Sequence, residues 1–493
     1  MSSTILSALM LALAPINLLF ALIGTVLGII IGALPGLTST MGVALFIPVT
    51  FTMSPETGLI FLASIYCAST YGGSISAILI QTPGTPSAII TAIDGYELTK
   101  QGHGGKALAM ATFASFIGGL VSATALLLIA PPLSKLVLRF GPSEIFFLAI
   151  FGLTIIVGLS KGSMVKGLIS GALGVLLATT GVDALTGTYR YTFNNMALFE
   201  GIPIVPAVIG LFSASQVFVL AEQKRTTIQY KDATPTTEST WLRLSEVKHL
   251  WGNLLRSSVI GTIVGIIPGA GMSIASAMAY NEAKRFSKNA DQFGKGSLEG
   301  VAASESANNG VTGGSLVPLL TLGIPGNAVS AVFLGGLLIH GLKPGMTLFT
   351  KHADIAYALL FGIFIANIMM FVVGSLAAKR FAKVAVCPTN ILAPIIMSLC
   401  IIGSYAIRNN VWDVIFMLGF GFMGYYMKKT GYSLASLILG LILGPMIESE
   451  LRRALMLSGG AFLPLLSRPL SLFLFLLVIF SLVGPYLKRK RTA

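Results

Sequence analysis

Charge is what this 493-residue sequence most lacks: Asp, Glu, Lys and Arg make up only 10% of it, against about 25% in soluble domains. With a mean hydropathy of +0.86, that scarcity excludes a soluble globular protein. Charge-free runs recur, from Met1 to Pro55, Thr57 to Ile93, Ala107 to Ser134, Gly201 to Ala221, Ser257 to Asn281, Ser306 to Leu342 and Ile355 to Ala378. At roughly 20 apolar residues per crossing they predict an all-α polytopic membrane protein with about 10 to 12 membrane segments. Cysteine is also scarce. Cys67, Cys387 and Cys400 lie in or beside apolar runs, so no disulfide framework is expected. The four histidines, His103, His249, His340 and His352, are scattered at segment ends and suit loops better than a metal site. Walker A and HExxH sequences are absent, which excludes those two catalytic machineries. The Gly158–Gly162 stretch "GLSKG" fits G-x-S-x-G but lies between membrane segments, without the strand-turn-helix setting that exposes such a serine. The sequence therefore reads as a non-enzyme. Its N-terminus has no basic region before the apolar stretch, so no cleaved signal peptide is expected.

What charge there is leans basic, with a net +14. The basic residues are dispersed over short loops and the tail "KRKR" (Lys488–Arg491), a positive-inside distribution and not a nucleic-acid stripe. The tail places the C-terminus in the cytoplasm.

The chain repeats itself. "GTVLGII" (Gly24–Ile30) is echoed by "GTIVGII" (Gly261–Ile267), and each precedes a Pro-Gly, Pro35-Gly36 and Pro268-Gly269. "YGGSISAILIQTPGTPSA" is matched by "TGGSLVPLLTLGIPGNAVSA", each with a Gly-Gly-Ser about ten residues before a second Pro-Gly, Pro83-Gly84 and Pro325-Gly326. Weaker echoes pair Asp94-Gly95 with His340-Gly341 and Thr180-Gly181 with Thr430-Gly431. The expected organisation is an apolar segment at 1–23, a first repeat at 24–222, a polar connector and entry at 223–260, a second repeat at 261–453, and a C-terminal helix with a basic tail at 454–493. The loop "TFTMSPETG" has no Lys or Arg whereas its counterpart "EAKRFSKNADQFGKG" has four, and "ATTGVD" faces "MKKTGY" in the same sense. Equivalent loops on opposite sides predict inverted repeats, and other loop pairs are neutral on the point.

A Pro-Gly inside an apolar run breaks a helix or makes it re-entrant. The freed backbone groups survive at membrane depth only when protein buries them or when they line a cavity. Such breaks expose N–H groups that attract anions and carbonyls that attract cations. Two interrupted segments at matching places in repeated halves point to a transporter's binding site. The substrate candidates are Pro35, Gly36, Thr38 and Ser39 at the first break, Gly84, Thr85 and Ser87 at the second, Pro268, Gly269, Gly271 and Ser273 at the third, and Gly326 and Asn327 at the fourth. The candidates for a coupling ion, Na+ or H+, are Thr40, Ser74, Thr82, Asn308, Asn309, Ser315 and Thr321. No other metal and no organic cofactor are expected. Gly72, Gly73, Gly313 and Gly314 read first as close-packing surfaces. Glu305, the one acid touching a break-bearing run, is open to two readings, structural pairing or an ion site.

The stretches "GALPGLTSTMGVALFIPVTF", "YGGSISAILIQTPGTPSAIITAIDGYELTKQGHGGKALAMA" and "SESANNGVTGGSLVPLLTLGIPGNAVSAVFLGGLLIHGLKPG" resemble the large membrane subunit of the bacterial tripartite tricarboxylate transporters. The resemblance covers nearly the whole chain. It implies an inner-membrane secondary carrier, energised by an ion gradient, that imports a di- or tricarboxylate. It also implies two partners, a small membrane subunit of about four helices and a periplasmic solute-binding protein. Alternating access at the broken helices is the expected mechanism; an anion channel is the alternative, since half-helices also line pores.

Overall fold

The computed structural model describes residues 2–136, 140–159, 163–183, 185–222, 242–384 and 389–489. Cys387, connector residues 223–241, Ser160 to Gly162 and the last residues of the basic tail lie outside them. In chain order the helices are α1 (Ser2–Ala12), α2 (Pro15–Ala33), α3 (Ser39–Thr50), α4 (Pro55–Ile80), α5 (Ala88–Lys100), α6 (Gly104–Leu136), α7 (Pro142–Leu159), α8 (Met164–Ala178), α9 (Ile204–Val208) and α10 (Ser215–Glu222). They continue as α11 (Leu244–Ile266), α12 (Gly271–Phe286), α13 (Leu298–Leu322), α14 (Ala328–Ile339), α15 (Met346–Thr350), α16 (Ala353–Val384), α17 (Thr389–Arg408), α18 (Val411–Thr430), α19 (Leu434–Leu457) and α20 (Pro469–Arg489). Among the described residues the one sheet is a hairpin of β1 (Gly181–Val182) and β2 (Tyr189–Arg190). Seven described helical stretches are long and apolar enough to cross a membrane, one of them the continuous Ile204–Glu222 that joins α9 to α10 through a π-helical turn at Ile209–Ala214, and five shorter apolar helices accompany them. The chain is an all-α polytopic membrane protein.

It forms two compact units, each drawing on both halves of the sequence. The first comprises Met1–Pro132 and Gln216–Leu399, the second Leu133–Ser215 and Cys400–Ala493.

The first unit is built around α4 and α13. Every residue from Thr57 to Leu79 and from Gly300 to Thr321 is buried, although these helices are rich in Gly, Ser and Thr. Large apolar side chains instead lie exposed on the surrounding helices, among them Leu6, Ile16, Leu128 and Leu376. That inversion suits a bilayer, where apolar side chains gain nothing by leaving lipid and small residues let backbones approach. Helix α2 lies along α4 and α11 along α13. Gly32 seats against Ser69, Gly72 and Gly73, and Gly265 against Val311 and Gly314. The heptapeptide echo is therefore one helical turn out of register with the packing. Gly24 precedes its Pro-Gly by four more residues than Gly261 does, and Gly32, not Gly28, takes the place that Gly265 holds.

Elements from opposite halves interlock. Helix α5 packs on α12 and α13, while α14 packs on α3 and α4. Asp94 of α5, fully buried, accepts backbone N–H bonds from Gly294 (2.8 Å), Gly296 (3.0 Å) and Ser297 (2.8 Å), and the Tyr280 hydroxyl donates to it at 2.8 Å. It thus closes the loop that opens α13. His340, at the end of α14, lies 3.2 Å from Thr50 Oγ1 and covers Gly58 in the first turn of α4, where an added Cβ would lie 2.6 Å from its Nε2.

In the second unit α8 crosses α19 glycine on glycine, with Gly174 against Leu437 and Gly440 and Gly440 against Gly171. Helices α7 and α20 pack beside them. The hairpin is fastened to α19 by ions: Arg190 forks onto both oxygens of Glu448 (2.6 and 3.1 Å), and Arg452 bridges Asp183 (2.8 Å) and Glu448 (2.7 Å).

Candidate functional site

All four Pro-Gly breaks fall between helices of the first unit. At the first and third the glycine takes a left-handed turn, Gly36 at φ +85° and Gly269 at φ +83°, which only glycine adopts without strain. The second and fourth need glycine for a different reason. A Cβ at Gly326 would lie 2.6 Å from the Gly265 carbonyl oxygen, and one at Gly84 would overlap the Gly32 carbonyl oxygen. The breaks are also tied to their surroundings by backbone bonds, Gly84 N–H to Gly73 O at 3.2 Å and Gly269 N–H to Gly326 O at 2.7 Å.

Each break starts a short helix, and the four starts converge on a two-turn window of α4. The α14 start arrives through Asn327, whose Oδ1 caps Ser330 N–H at 2.8 Å and whose Nδ2 donates to the Tyr66 hydroxyl at 2.8 Å. Tyr66 in turn bonds Ser315 Oγ at 2.9 Å, and Ser315 donates to Thr312 O at 3.1 Å. This chain of bonds runs in one direction and uses both hydroxyl protons in it. One turn on, Thr70 receives the α3 start, with Ser39 Oγ at 3.5 Å, and the α12 start, with Met272 Sδ at 3.6 Å. Asn308 of α13 donates to the Thr70 carbonyl at 3.3 Å. The α5 start closes the window, with Thr85 against Gly73 and 3.2 Å from Ser87. Four helix starts thus reach residues 66–73, three through hydroxyl or amide side chains and the α12 start through the Met272 thioether, and a helix start carries N–H groups without an intrahelical partner. Partial positive charge is gathered there without a fixed cation.

Among the sequence candidates, Ser39, Asn308, Ser315 and Asn327 meet around Tyr66 and Thr70, while Gly84 and Thr85 meet at Gly73, with Ser87 bonded to Thr85. Thr38 caps α3 through Met41 N–H at 3.3 Å, and Thr40 is buried one residue beyond Ser39. Pro35, Pro268, Gly271 and Ser273 are half-buried at the entries to α3 and α12, and Gly36 is exposed beside Leu220 and Gln216. Other candidates lie apart from the window. Thr82 and Thr321 bond carbonyls of Ile80 and Val317, and Asn309 turns to Met370 of α16 at 3.2 Å. Ser74 points toward Glu305. The glycines of both Gly-Gly-Ser motifs lie at close helix contacts: Gly72 against Ile29, Gly73 against Thr85, Gly313 against Ser122 and Gly314 against Thr262.

Sequence reasoning missed Tyr66 and Thr70, the two side chains on which the starts meet. Their spacing of four in a charge-free run put them on one face of the helix, a signal shared by many neighbours. It also missed Asp94 as a clasp, having registered it only as an echo of His340.

Comparison with known proteins yields three findings. A family model described as the tripartite tricarboxylate transporter TctA family matches residues 18–439. An uncharacterised 52.8 kDa protein in the TAR-I ttuC' 3' region of Agrobacterium vitis is 36% identical over 461 residues, covering 93% of this chain and 91% of that one. A second uncharacterised protein, in the TAR-II ttuC' 3' region of the same organism, is 34% identical over 234 residues, covering 47% of this chain and 97% of that one. No solved structure matches.

Proposed function

Because the chain belongs to the tripartite tricarboxylate transporter TctA family and is therefore a transporter and not an enzyme, we propose that it is the large subunit that carries a di- or tricarboxylate inward, coupled to a cation gradient. The observation that carries this reading is the convergence of four helix starts on residues 66–73 of α4. A polycarboxylate brings several negative charges to a region with no Lys or Arg in the adjoining runs, and helix starts contribute roughly 0.3–2 kcal/mol each toward an anion. A co-transported cation offsets the remainder.

The recurring order of helix, Pro-Gly turn, short helix, long helix, Pro-Gly break and short helix supports two repeats, and the unequal basic content of their equivalent loops supports inverted topology. The short helices that each half lends to the other support alternating access, with the breaks as the moving parts. We place the protein in the bacterial inner membrane with its C-terminus in the cytoplasm. It works there with a small membrane subunit of about four helices and a periplasmic solute-binding protein that captures dilute substrate. Proteoliposomes containing all three components, tested with a panel of radiolabelled carboxylates, decide the matter. The expected result is saturable, concentrative uptake that collapses when either partner is omitted; equilibration without concentration would indicate a channel. Cysteines at Ser54 and Ser287, in a background lacking the three native cysteines, should label from opposite sides of the membrane. Labelling from one side would refute inversion.

A further inference from the structure

Beside the window on α4 lies an acid that the anion site does not use. Glu305 of α13 is fully buried. Thr91 of α5 donates to its Oε1, and Ser115 of α6 donates to its Oε2 at 2.9 Å. The side chains acting on it are hydroxyls and an amide, from Ser74, Thr91, Ser115 and Asn308, with no Lys, Arg or His among them. Two of these neighbours are unfinished. Ser74 Oγ and Asn308 Oδ1 are fully buried and make no hydrogen bond of acceptable geometry among the described residues. Asn308 follows Glu305 by three residues, on the same face of α13.

A buried carboxylate without a positive partner needs a bound cation or a proton. A proton would supply one new donor for the Asn308 Oδ1 and leave the Ser74 hydroxyl to donate to the carboxyl. A metal ion accepts from several oxygens at once. The donors here are all oxygen, carboxylate, amide carbonyl and hydroxyl, which suits a hard cation. The single negative charge suits a monovalent one.

We propose that Glu305, Ser74 and Asn308 form a Na+ site. This deepens the functional reading above, in which a cation accompanies the carboxylate. Asn308 links the two sites, because its Nδ2 holds the Thr70 carbonyl beneath the converging helix starts while its Oδ1 is left for the ion. Thr91 adds a second link, since it lies on the helix that begins at the Pro83-Gly84 break. Filling the Na+ site thus fixes the parts that receive the anion.

The test reads binding, not transport, so its failure leaves carboxylate import standing. Purified full-length protein in nanodiscs at pH 8 is incubated with ²²Na+ at constant ionic strength, and bound counts are displaced with NaCl or KCl. The expected result is saturable binding displaced by NaCl and not by KCl. Glu305→Gln should lose it, and Asn308→Ala and Ser74→Ala should each raise the half-saturating Na+ concentration at least tenfold. Should Glu305→Gln fail to fold, the two alanine variants decide. Absence of saturable binding in the wild type, binding retained in Glu305→Gln, or unchanged half-saturation in both alanine variants would each overturn the site; the first of these, with uptake still driven by a pH gradient, would identify a proton as the occupant.

Discussion

Replacing Asp94 by Asn tests whether a charge holds α5 to the start of α13. The side chain is fully buried, so solvent does not weaken its bonds. Asn retains one acceptor oxygen for Gly294, Gly296 and Ser297, but these bonds lose the ionised acceptor. Hydrogen bonds to charged groups contribute about 1.5–3 kcal/mol against about 0.5–1.5 for neutral pairs, so each of the three loses roughly 1 kcal/mol. The Tyr280 hydroxyl, which donates to Oδ2, would then face an amide N–H₂ and must turn to accept. The sum is on the order of 3–4 kcal/mol, against about 1.5–3 for Tyr280→Phe, which removes one bond to the charged acceptor and leaves the charge in place. A thiol-reactive dye reports both, because Cys67 and Cys400 are buried and react once the fold opens. Asp94→Asn should melt below Tyr280→Phe. If the two variants melt together, the three backbone donors are not held by a charge and the clasp argument fails.

Asn327→Ala removes the α14 cap and the Tyr66 bond, and Thr85→Ala removes the hydroxyl at Gly73; a loss of about 1–2 kcal/mol in either should raise half-saturation of uptake roughly 5- to 30-fold, and unchanged kinetics in both would move the anion site elsewhere. Gly326→Leu should abolish transport, since even a Cβ there meets the Gly265 carbonyl oxygen at 2.6 Å; retained uptake would show that this backbone approach is dispensable. The Leu185 N–H and Arg452 hold the Asp183 carboxyl well below the usual carboxylate range, so its stabilising contribution is complete above the ordinary Asp value of about 3.9 and fades as pH falls below it. Asp183→Asn should therefore lower the melting temperature at pH 7 and flatten its decline under acid, and a decline as steep as that of the wild type would refute the assignment.

The sequence displays its breaks openly because Pro-Gly is costly inside a helix and conspicuous in an apolar run. The membrane class was equally plain from the missing charge. The meeting point was hidden, because Tyr66 and Thr70 belong to an unbroken helix and acquire meaning only when α3, α12 and α14 arrive from up to 261 residues away. The repeat register misled for a local reason. Identical heptapeptides drew the alignment, whereas packing follows the glycine beneath the second break, Gly32 or Gly265. Glu305 could be noticed by charge alone, but its surroundings come from four different helices.

The exchange of short helices between the halves also governs biogenesis. Asp94 emerges from the ribosome about 200 residues before Gly294, Gly296 and Ser297, and Tyr66 precedes Asn327 by 261. During synthesis the first half therefore enters the bilayer with a carboxylate and a tyrosine hydroxyl awaiting partners not yet translated, and the loop-closure entropy of a long intervening chain delays their pairing. Neither half is a self-sufficient folding unit. A chain halted within the connector would present α5 as an unclasped segment, which makes that intermediate the natural substrate of membrane chaperones and quality-control proteases, and two separately expressed halves should accumulate only when made together.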